Sequence, residues 1–197
     1  MKTAYDGRLT FEEEGHVYRW DGNVVPSVTQ ILDGITEFRC SPEVLAAAAE
    51  RGTDVHTACE LEALGKLDYA TVTEEVWPYL NAWLRFREEM KPAIEATEDL
   101  LYHELFCYAG QRDLRIAYRA KESWTVDIKT SATESIAWPI QTAAYALADT
   151  AHGNQLRRAV LMLGKDGRYK WREYKDLNDQ KVFICLKTIR DWKIKHA

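Results

Sequence analysis

The sequence contains no apolar run that approaches the ~18–20 residues of a membrane-spanning helix. Its N-terminal segment, MKTAYDGRLT, lacks the apolar core of a signal peptide, and no repeat, low-complexity tract or long linker interrupts the chain. With 197 residues, of which 46% are hydrophobic, the chain can bury one good core. We therefore expect a cytoplasmic protein with one domain over residues 1–197.

Cysteine is scarce and unclustered. The four cysteines are Cys40, Cys59, Cys107 and Cys185, and no two of them form a C-x-x-C pair. Iron–sulfur clusters are held by cysteines at short, regular spacings. The pattern predicts buried, reduced thiols, with Cys107 in a strand, and no iron–sulfur cluster.

Positive charge is also scarce, because 26 Lys and Arg against 31 Asp and Glu give a net charge of −5 at pH 7. Residues 155–197 nevertheless carry 12 Lys and Arg against 5 Asp and Glu, which leaves 14 against 26 for residues 1–154. Distribution matters more than the sum for binding a polyanion. The basic tail could follow a phosphate backbone, or it could be a helix that packs on the body and turns its lysines to solvent.

What the sequence does contain is a pair of aspartates on predicted neighbouring strands. Residues 123–130, SWTVDIKT, are rich in β-branched and aromatic residues, and Asp127 and Lys129 share one face of this strand. Upstream, ELFCYAGQRDLRIAY predicts a strand, a turn at Gly110 and a second strand that brings Asp113 beside Asp127. Facing carboxylates repel unless a cation lies between them, and a divalent cation fits, with Lys129 as a charge for a developing anion or a water. The alternative is an exposed strand face of ordinary ion pairs.

A predicted helix adds an imidazole. It begins near Ser41 in an alanine-rich segment and contains RGTDVHTACE, in which Gly52, His56 and Glu60 are four residues apart and share one face. His56 could ligate a metal while Glu60 orients a neighbour, although a single helical histidine is more often structural.

A second predicted helix follows the Asp127 strand. In WPIQTAAY, Pro139 suits the first helical turn, and Gln141 and Tyr145 then share a face one turn apart. The two polar groups could position a phosphate or a water, or they could be ordinary helix residues.

Taken in order, these motifs resemble those of the PD-(D/E)XK nuclease superfamily, in its RecB-like exonuclease branch. The order is G-x-x-x-H-x-x-x-E, then E, then G-x-x-D, then D-x-K-T, then Q-x-x-x-Y. The matching positions are Gly52, His56, Glu60, Glu104, Gly110, Asp113, Asp127, Lys129, Thr130, Gln141 and Tyr145. PSVTQIL, residues 26–32, is similar to the PSVT segment of phage-type nucleases and of the mitochondrial single-strand DNA exonuclease of this branch.

The resemblance implies a role for each position. The groups that would hold Mg²⁺ or Mn²⁺ are His56, Asp113, Asp127 and the backbone carbonyl of Ile128. Lys129 would activate or position the attacking water, and Glu104 would orient the metal ligands. The residues that would contact DNA are Ser27, Thr29, Arg51, Thr130, Gln141 and Tyr145, of which the last two could instead contact Lys129. Arg112 departs from the small or apolar residue of many relatives, but on a strand it points away from Asp113.

The implied fold class is α/β (α+β), a restriction-endonuclease-like core with a central mixed β-sheet flanked by helices. Residues 1–35 predict a hairpin that turns at Asp21 and Gly22 and leads to a helix from about Val28; residues 41–92 predict a helical part whose second helix covers residues 75–91. The catalytic part, residues 99–197, predicts strands at 99–108, 113–119, 123–130, 158–163 and 169–174, a helix from 139 to about 150, and a C-terminal helix.

The function that this resemblance implies is a Mg²⁺- or Mn²⁺-dependent DNA exonuclease. It would act on DNA ends or single strands in phage-type recombination, repair or replication, in a bacterial or phage-infected cell. A recombination or single-strand-binding protein is the candidate protein partner. Three alternatives stay open: a structure-specific or nicking endonuclease on the same core, a nuclease whose DNA channel is completed by another subunit, and a DNA-binding module that no longer cleaves.

Overall fold

Two β-sheets organise the chain. The computed structural model describes residues 1–36, 41–119, 122–152 and 155–197. The first sheet is an antiparallel meander of four strands: β1 (Lys2–Ala4), β2 (Leu9–Glu12), β3 (Val17–Trp20) and β4 (Asn23–Val25). Asp21 and Gly22 both have positive φ between β3 and β4, as a tight hairpin turn requires, so the predicted turn is confirmed.

The second sheet is mixed and carries the candidate site. Its strands, in spatial order, are β5 (Ala93–His103), β6 (Tyr108–Tyr118), β7 (Glu122–Lys129), β8 (Arg157–Leu163) and β9 (Tyr169–Tyr174). The β7–β8 pair is parallel and the other pairs are antiparallel. A helix, α4 (Ala137–Ala148), connects the two parallel strands because a parallel pair cannot be joined by a short turn.

The remaining helices are α1 (Val28–Leu32), α2 (Pro42–Ala63), α3 (Trp77–Met90) and α5 (Asn178–His196), with a short 3-10 helix at Tyr69–Thr71. Ser27 and Ser41 start α1 and α2 by accepting hydrogen bonds from backbone N–H groups of the first turn. Pro78 lies in the first turn of α3, where its missing N–H costs little. Within the described residues, no helix combines the length and apolar character that crossing a membrane requires.

Apolar cores on both sides of the mixed sheet hold the helices in place. Alternate residues of β6, β7 and β8, such as Leu114, Val126 and Leu161, pack against α2 and α3. On the other side, α1, α4 and α5 pack together around Tyr108 and Phe183. The α/β class, with a central mixed sheet flanked by helices, is therefore confirmed.

The β5–β6 hairpin differs from the prediction. The expected strand at 99–108 crosses the actual turn, which occupies residues 104–107, and Gly110 lies inside β6 rather than in a turn. A glycine often marks a turn, but Gly110 is needed here for space: a Cβ on it would stand 2.7 Å from Tyr145 Cε1 and 3.1 Å from Val28 Cγ2. The turn is made by residues without a glycine, and Cys107 adopts a positive φ of 47° in it.

The cysteine prediction is correct in part. The thiols of Cys59, Cys107 and Cys185 are free, and Cys59 is buried as expected. Cys107 and Cys185 are exposed, and Cys107 lies in the turn rather than in a strand. Cys40 lies outside the described residues.

Candidate metal centre and active site

A large cleft of about 1410 Å³ opens where α2 crosses the end of the mixed sheet. It is lined by the face of α2 that carries Gly52 and His56 and by residues of the β8–β9 hairpin. At Gly52, α2 comes close to the end of β7: an added Cβ would lie 4.0 Å from Thr130 Oγ1, which is ordinary van der Waals contact. Glu98, Ile128 and Lys129 also line the cleft, so the ends of β5 and β7 open into the same space as α2.

Three ligand-type side chains converge at this end of the sheet. One donor atom each from His56, Glu98 and Asp113 lie within 4.8 Å of one another. His56 Nδ1 is 3.5 Å from Asp113 Oδ1 and 3.9 Å from Glu98 Oε1. The side chains of His56 and Glu98 keep 28% and 18% of their surface exposed, against 10% for Asp113, so an ion can reach the group from the cleft.

The backbone of β7 completes this group. Asp113 Oδ2 accepts a hydrogen bond of 2.6 Å from the N–H of Ile128, and His56 Nε2 lies 3.0 Å from the Ile128 carbonyl oxygen. The antiparallel pairing of Leu114 with Val126 places Asp113 next to Asp127 on the neighbouring strand. The predicted meeting of His56, Asp113 and the Ile128 carbonyl is therefore present in the structure.

Burial and mutual charge interactions shift the pKa values of His56, Glu98 and Asp113 in different directions. Burial lowers the pKa of His56, but the Asp113 and Glu98 carboxylates outweigh burial and raise it to about 9. Burial, reinforced by the charge of Asp113, raises the pKa of Glu98 to about 8. Burial also raises the pKa of Asp113, yet the neighbouring His56 imidazolium more than reverses this, so the pKa is lowered. The shifts reflect the mutual repulsion of the Glu98 and Asp113 carboxylates, which the charge of His56 offsets.

Asp127 belongs to a second chain of contacts that runs from β7 to α4. Asp127 Oδ2 lies 2.7 Å from Lys129 Nζ, which donates to Gln141 Oε1 at 3.1 Å. Gln141 Nε2 in turn donates to the Tyr145 hydroxyl at 3.1 Å. Burial lowers the pKa of Lys129, but Asp127 and Asp113 raise it above the usual range, so Lys129 is an ammonium at neutral pH. Of the two alternatives for Gln141 and Tyr145, the structure therefore shows the contact with Lys129.

Burial raises the pKa of Asp127 to about 6, although the Lys129 ammonium opposes the shift. A buried carboxylate of this kind gains from any additional positive charge placed beside it. Lys129 is the main positive partner of Asp127 and His56 that of Asp113, and each cation also lowers the pKa of the other carboxylate.

The donor set fits a hard divalent cation. Two carboxylates, one imidazole and a nearby backbone carbonyl are ligand types that Mg²⁺ and Mn²⁺ accept, and the imidazole favours Mn²⁺ more than an all-oxygen site would. The convergence of like-charged carboxylates at an accessible cleft is the observation that supports this fit, because without protons or a cation it would be repulsive.

Glu104 does not belong to the site. It is exposed in the turn of the β5–β6 hairpin, six positions beyond Glu98, which corresponds to roughly 20 Å along an extended strand. The residue that lies beside Asp113 is Glu98, because β5 pairs with β6 so that Thr97 and Asp99 face Leu114 and Arg112. The misplaced turn caused this error, since a hairpin centred on residues 104–107 would have placed Glu98 opposite Asp113.

Gln111 is a further site residue that the sequence pattern did not indicate. Its Nε2 donates to Glu98 Oε2 at 2.6 Å and lies 3.3 Å from the Glu98 backbone oxygen. The amide therefore fixes the orientation of the Glu98 carboxylate. Glu60 also lines the cleft, and its charge contributes to the raised pKa of Glu98.

The predicted DNA-contacting residues occupy two kinds of position. Thr29, Arg51 and Thr130 line the cleft. Ser27 is buried; its hydroxyl accepts from the N–H of Gln30 and lies 2.9 Å from Thr29 Oγ1, so the structure shows it as the cap of α1. Ser27 also lines a small cavity of about 170 Å³ that borders the metal group.

Arg112 points away from Asp113, as predicted, and it is fully buried. Its guanidinium makes two hydrogen bonds to Asp99, one to Thr125 Oγ1 and one to Asp149 Oδ2 at 2.9 Å. A buried guanidinium needs this number of acceptors. Arg112 therefore ties the C-terminal end of α4 to β5 and β7.

No protein-family model matches the chain, and no curated protein matches it in sequence. Among solved structures, the chain is similar to a candidate exonuclease from Eubacterium rectale, with 16% identity, coverage of 80% of this chain and 68% of that one, and a TM-score of 0.47. It is also similar to an alkaline exonuclease from Laribacter hongkongensis, with 11% identity, coverage of 87% and 94%, and a TM-score of 0.42. At these identities and TM-scores the likenesses carry no argument about activity, and the function proposed below is based on the geometry of the site.

Proposed function

We propose that this protein is a metal-dependent nuclease that hydrolyses phosphodiester bonds in DNA. The observation that carries the proposal is the convergence of His56, Glu98 and Asp113 beside an open cleft that His56 and Glu98 line, with the Asp127–Lys129 pair on the adjoining strand. Acidic ligands for a divalent cation beside a fixed ammonium are what phosphodiester hydrolysis requires.

The proposed metal ligands are His56, Glu98, Asp113 and Asp127, with the Ile128 carbonyl beside them. A bound Mg²⁺ or Mn²⁺ would lower the pKa of an attacking water and draw negative charge from the phosphate. Asp113 is oriented for ligation by the Ile128 N–H, and Glu98 by Gln111.

Lys129 supplies the second positive charge. Its ammonium is held by Asp127 and Gln141, and Tyr145 fixes the far end of Gln141. Because Lys129 is protonated at neutral pH, its proposed role is to stabilise developing negative charge and to orient the attacking water by hydrogen bonding, rather than to remove the proton.

Within this class we propose an exonuclease that acts on DNA ends or single strands in recombination, repair or replication, with Ser27, Thr29, Arg51 and Thr130 near the substrate. The order of the motifs from Gly52 to Tyr145 supports the assignment as an exonuclease. The cleft supports the DNA contacts, because Thr29, Arg51 and Thr130 line it. Cut position depends on the shape of the DNA path rather than on the metal ligands, so it requires its own test.

The test is cleavage of end-labelled linear single-stranded and duplex DNA beside a closed circular DNA, with Mg²⁺, Mn²⁺ or EDTA. Loss of linear DNA that needs a metal and leaves circles intact is the expected result. Cut circles would instead establish an endonuclease. Absence of cleavage with either metal would overturn the proposed activity.

Two variants and one matched control locate the activity. Asp127→Ala and Lys129→Ala should each abolish cleavage. Asp54→Ala, which changes an exposed aspartate of α2 outside the cleft lining, should cleave as the parent does. If Lys129→Ala cuts as fast as the parent, the site is assigned to the wrong residues.

A further inference from the structure

The walls of the cleft differ in charge. The α2 side presents the apolar side chains of Leu45, Ala48 and Ala49 and one guanidinium, Arg51, which pairs with Glu75 at 3.7 Å. The β8–β9 hairpin presents Lys165, Arg168 and Lys170. A polyanion in this cleft would therefore find more positive charge on the hairpin side than on the α2 side.

Lys165, Arg168 and Lys170 have no ion-pair partner among the described residues. All three are exposed, and none forms an ion pair with a carboxylate that the structure describes. Their basic neighbours on β8 and β9 differ, since Arg157 pairs with Glu122 and Arg172 with Glu134, both at 2.6 Å. The carboxylate of Asp166 lies in the same turn, where it accepts from the backbone N–H of Arg168 at 3.1 Å.

A tight turn closes the β8–β9 hairpin, which lies near the proposed catalytic lysine. Gly164 N–H donates to the Arg168 carbonyl at 2.8 Å, and Gly167 supplies the positive φ of the turn. Strand register pairs Lys129 with Met162 and Met162 with Lys170. Two steps between neighbouring strands place the Lys170 backbone about 10 Å from that of Lys129.

We propose that Lys165, Arg168 and Lys170 hold the phosphate backbone of the nucleic-acid strand whose scissile phosphate lies at the metal group. This inference rests on the proposed nuclease function and names the substrate-binding surface of the same site. It also separates the basic residues of 155–197 by position. Of these 12 Lys and Arg, the three on this hairpin line the cleft, and those of α5 do not.

The experiment measures binding of a fluorescein-labelled single-stranded oligothymidylate by anisotropy across a salt series, in EDTA so that the strand stays intact. The test variant replaces Lys165, Arg168 and Lys170 by Ser. The matched control replaces Arg190, Lys193 and Lys195 of α5 by Ser, which removes the same charge outside the cleft lining. Each phosphate contact contributes about 0.7 to the slope of log affinity against log salt for a single strand, so the hairpin variant should lower the slope by about 2.

The α5 control should keep the slope of the parent. A charge-keeping variant, Lys165→Arg with Lys170→Arg, should also keep it, and thermal unfolding of each variant shows whether the fold is intact. A hairpin variant with the parent's slope, or an α5 variant with an equal loss, overturns the inference. The nuclease proposal is judged separately by cleavage with the parent: a parent that cuts DNA while the hairpin variant binds as tightly as the parent refutes only the inference about the hairpin.

Discussion

Glu98 and Glu104 lie on the same hairpin, but their surroundings give the two carboxylates different chemistry. Glu98 faces the cleft, receives a hydrogen bond from Gln111 and has a pKa raised to about 8 by burial and by the charge of Asp113. Glu104 is exposed in the turn. A carboxylate beside other carboxylates in a cleft is a candidate metal ligand, whereas a solvated turn residue is not.

Replacing Glu98 by Gln should lower metal affinity and the rate of metal-dependent cleavage by at least about 10-fold, because removal of a group that only orients a metal ligand already costs about 10- to 100-fold. Glu104→Gln should change neither quantity. Isothermal titration with Mn²⁺ and cleavage of end-labelled DNA measure the two effects. Equal loss in both variants, or loss in Glu104→Gln alone, would contradict the assignment of Glu98.

Gly110 provides space for Tyr145, which supports Gln141 and through it Lys129. A Cβ at position 110 would stand 2.7 Å from Tyr145 Cε1 and 3.1 Å from Val28 Cγ2, and both of these side chains are buried. Gly110→Ala should therefore destabilise the fold by about 1–3 kcal/mol, the usual cost of overpacking, and should lower cleavage. Urea unfolding and the cleavage assay measure these effects.

Gly52→Ala is the matched control for Gly110→Ala. Gly52 lies inside α2, and the added Cβ would make only an ordinary contact, 4.0 Å from Thr130 Oγ1. Alanine favours a helix over glycine by about 1 kcal/mol, so this variant should be at least as stable as the parent. If Gly110→Ala proved as stable as Gly52→Ala, the close packing of Tyr145 on β6 would be wrong.

The helix α4 connects the proposed site with the buried polar network of the sheet. Near its start, Gln141 holds Lys129, and just beyond its end Asp149 accepts from Arg112 and from His152 at 2.9 Å each. Burial raises the pKa of Asp149, but these two partners outweigh it, so the folded-state pKa lies below the ordinary value.

This depressed pKa makes stability depend on pH. The stability that ionised Asp149 contributes is present above its unfolded pKa of about 3.9 and is lost as pH falls through the lower folded-state value. We expect Asp149→Asn to be less stable at pH 7 by about 2 kcal/mol, the range of a hydrogen bond to a charged group, and to lose less stability than the parent on going below pH 4. Urea unfolding at neutral and acid pH measures both; parallel pH profiles of parent and variant would refute the role of Asp149.

For the molecule as a whole, the metal group joins parts that are distant along the chain. His56 comes from α2, Glu98 from β5 and Asp113 from β6, and the Ile128 carbonyl comes from β7. An ion bound there would link helix and sheet, and it would bind the folded state far better than the unfolded chain.

Mn²⁺ or Mg²⁺ should therefore raise the melting temperature, and EDTA should reverse the rise. A ligand at about 100 times its dissociation constant stabilises by about 2.7 kcal/mol. Asp113→Asn should lose this response, whereas Asp54→Ala, on the exposed side of α2, should keep it. Differential scanning fluorimetry with and without metal measures the shift; an equal shift in Asp113→Asn would place the ion elsewhere.

Much of the fold and of the site could be predicted because local patterns carry the information. The β-branched and aromatic content of residues 123–130 located β7, and the strands predicted at 158–163 and 169–174 match β8 and β9. The prolines located the first turns of α3 and α4. Spacing also put residues on a common face. Gly52 and His56, four apart on α2, both line the cleft, and Asp127 and Lys129, two apart on β7, form an ion pair beside it. Spacing within one helix or strand is a local property, so residue order alone is enough to give it.

Other features depend on how the elements are assembled. Register between β5 and β6 selected Glu98 over Glu104, and the packing of α4 on β6 explained Gly110 as a space requirement for Tyr145. Which of the basic residues after position 154 face the cleft was likewise settled by the β8–β9 pairing. The order of residues determines which side chains share a helix or strand. Contacts between elements depend on strand register and on how closely the helices pack on the sheet, and both follow from burial of the whole core.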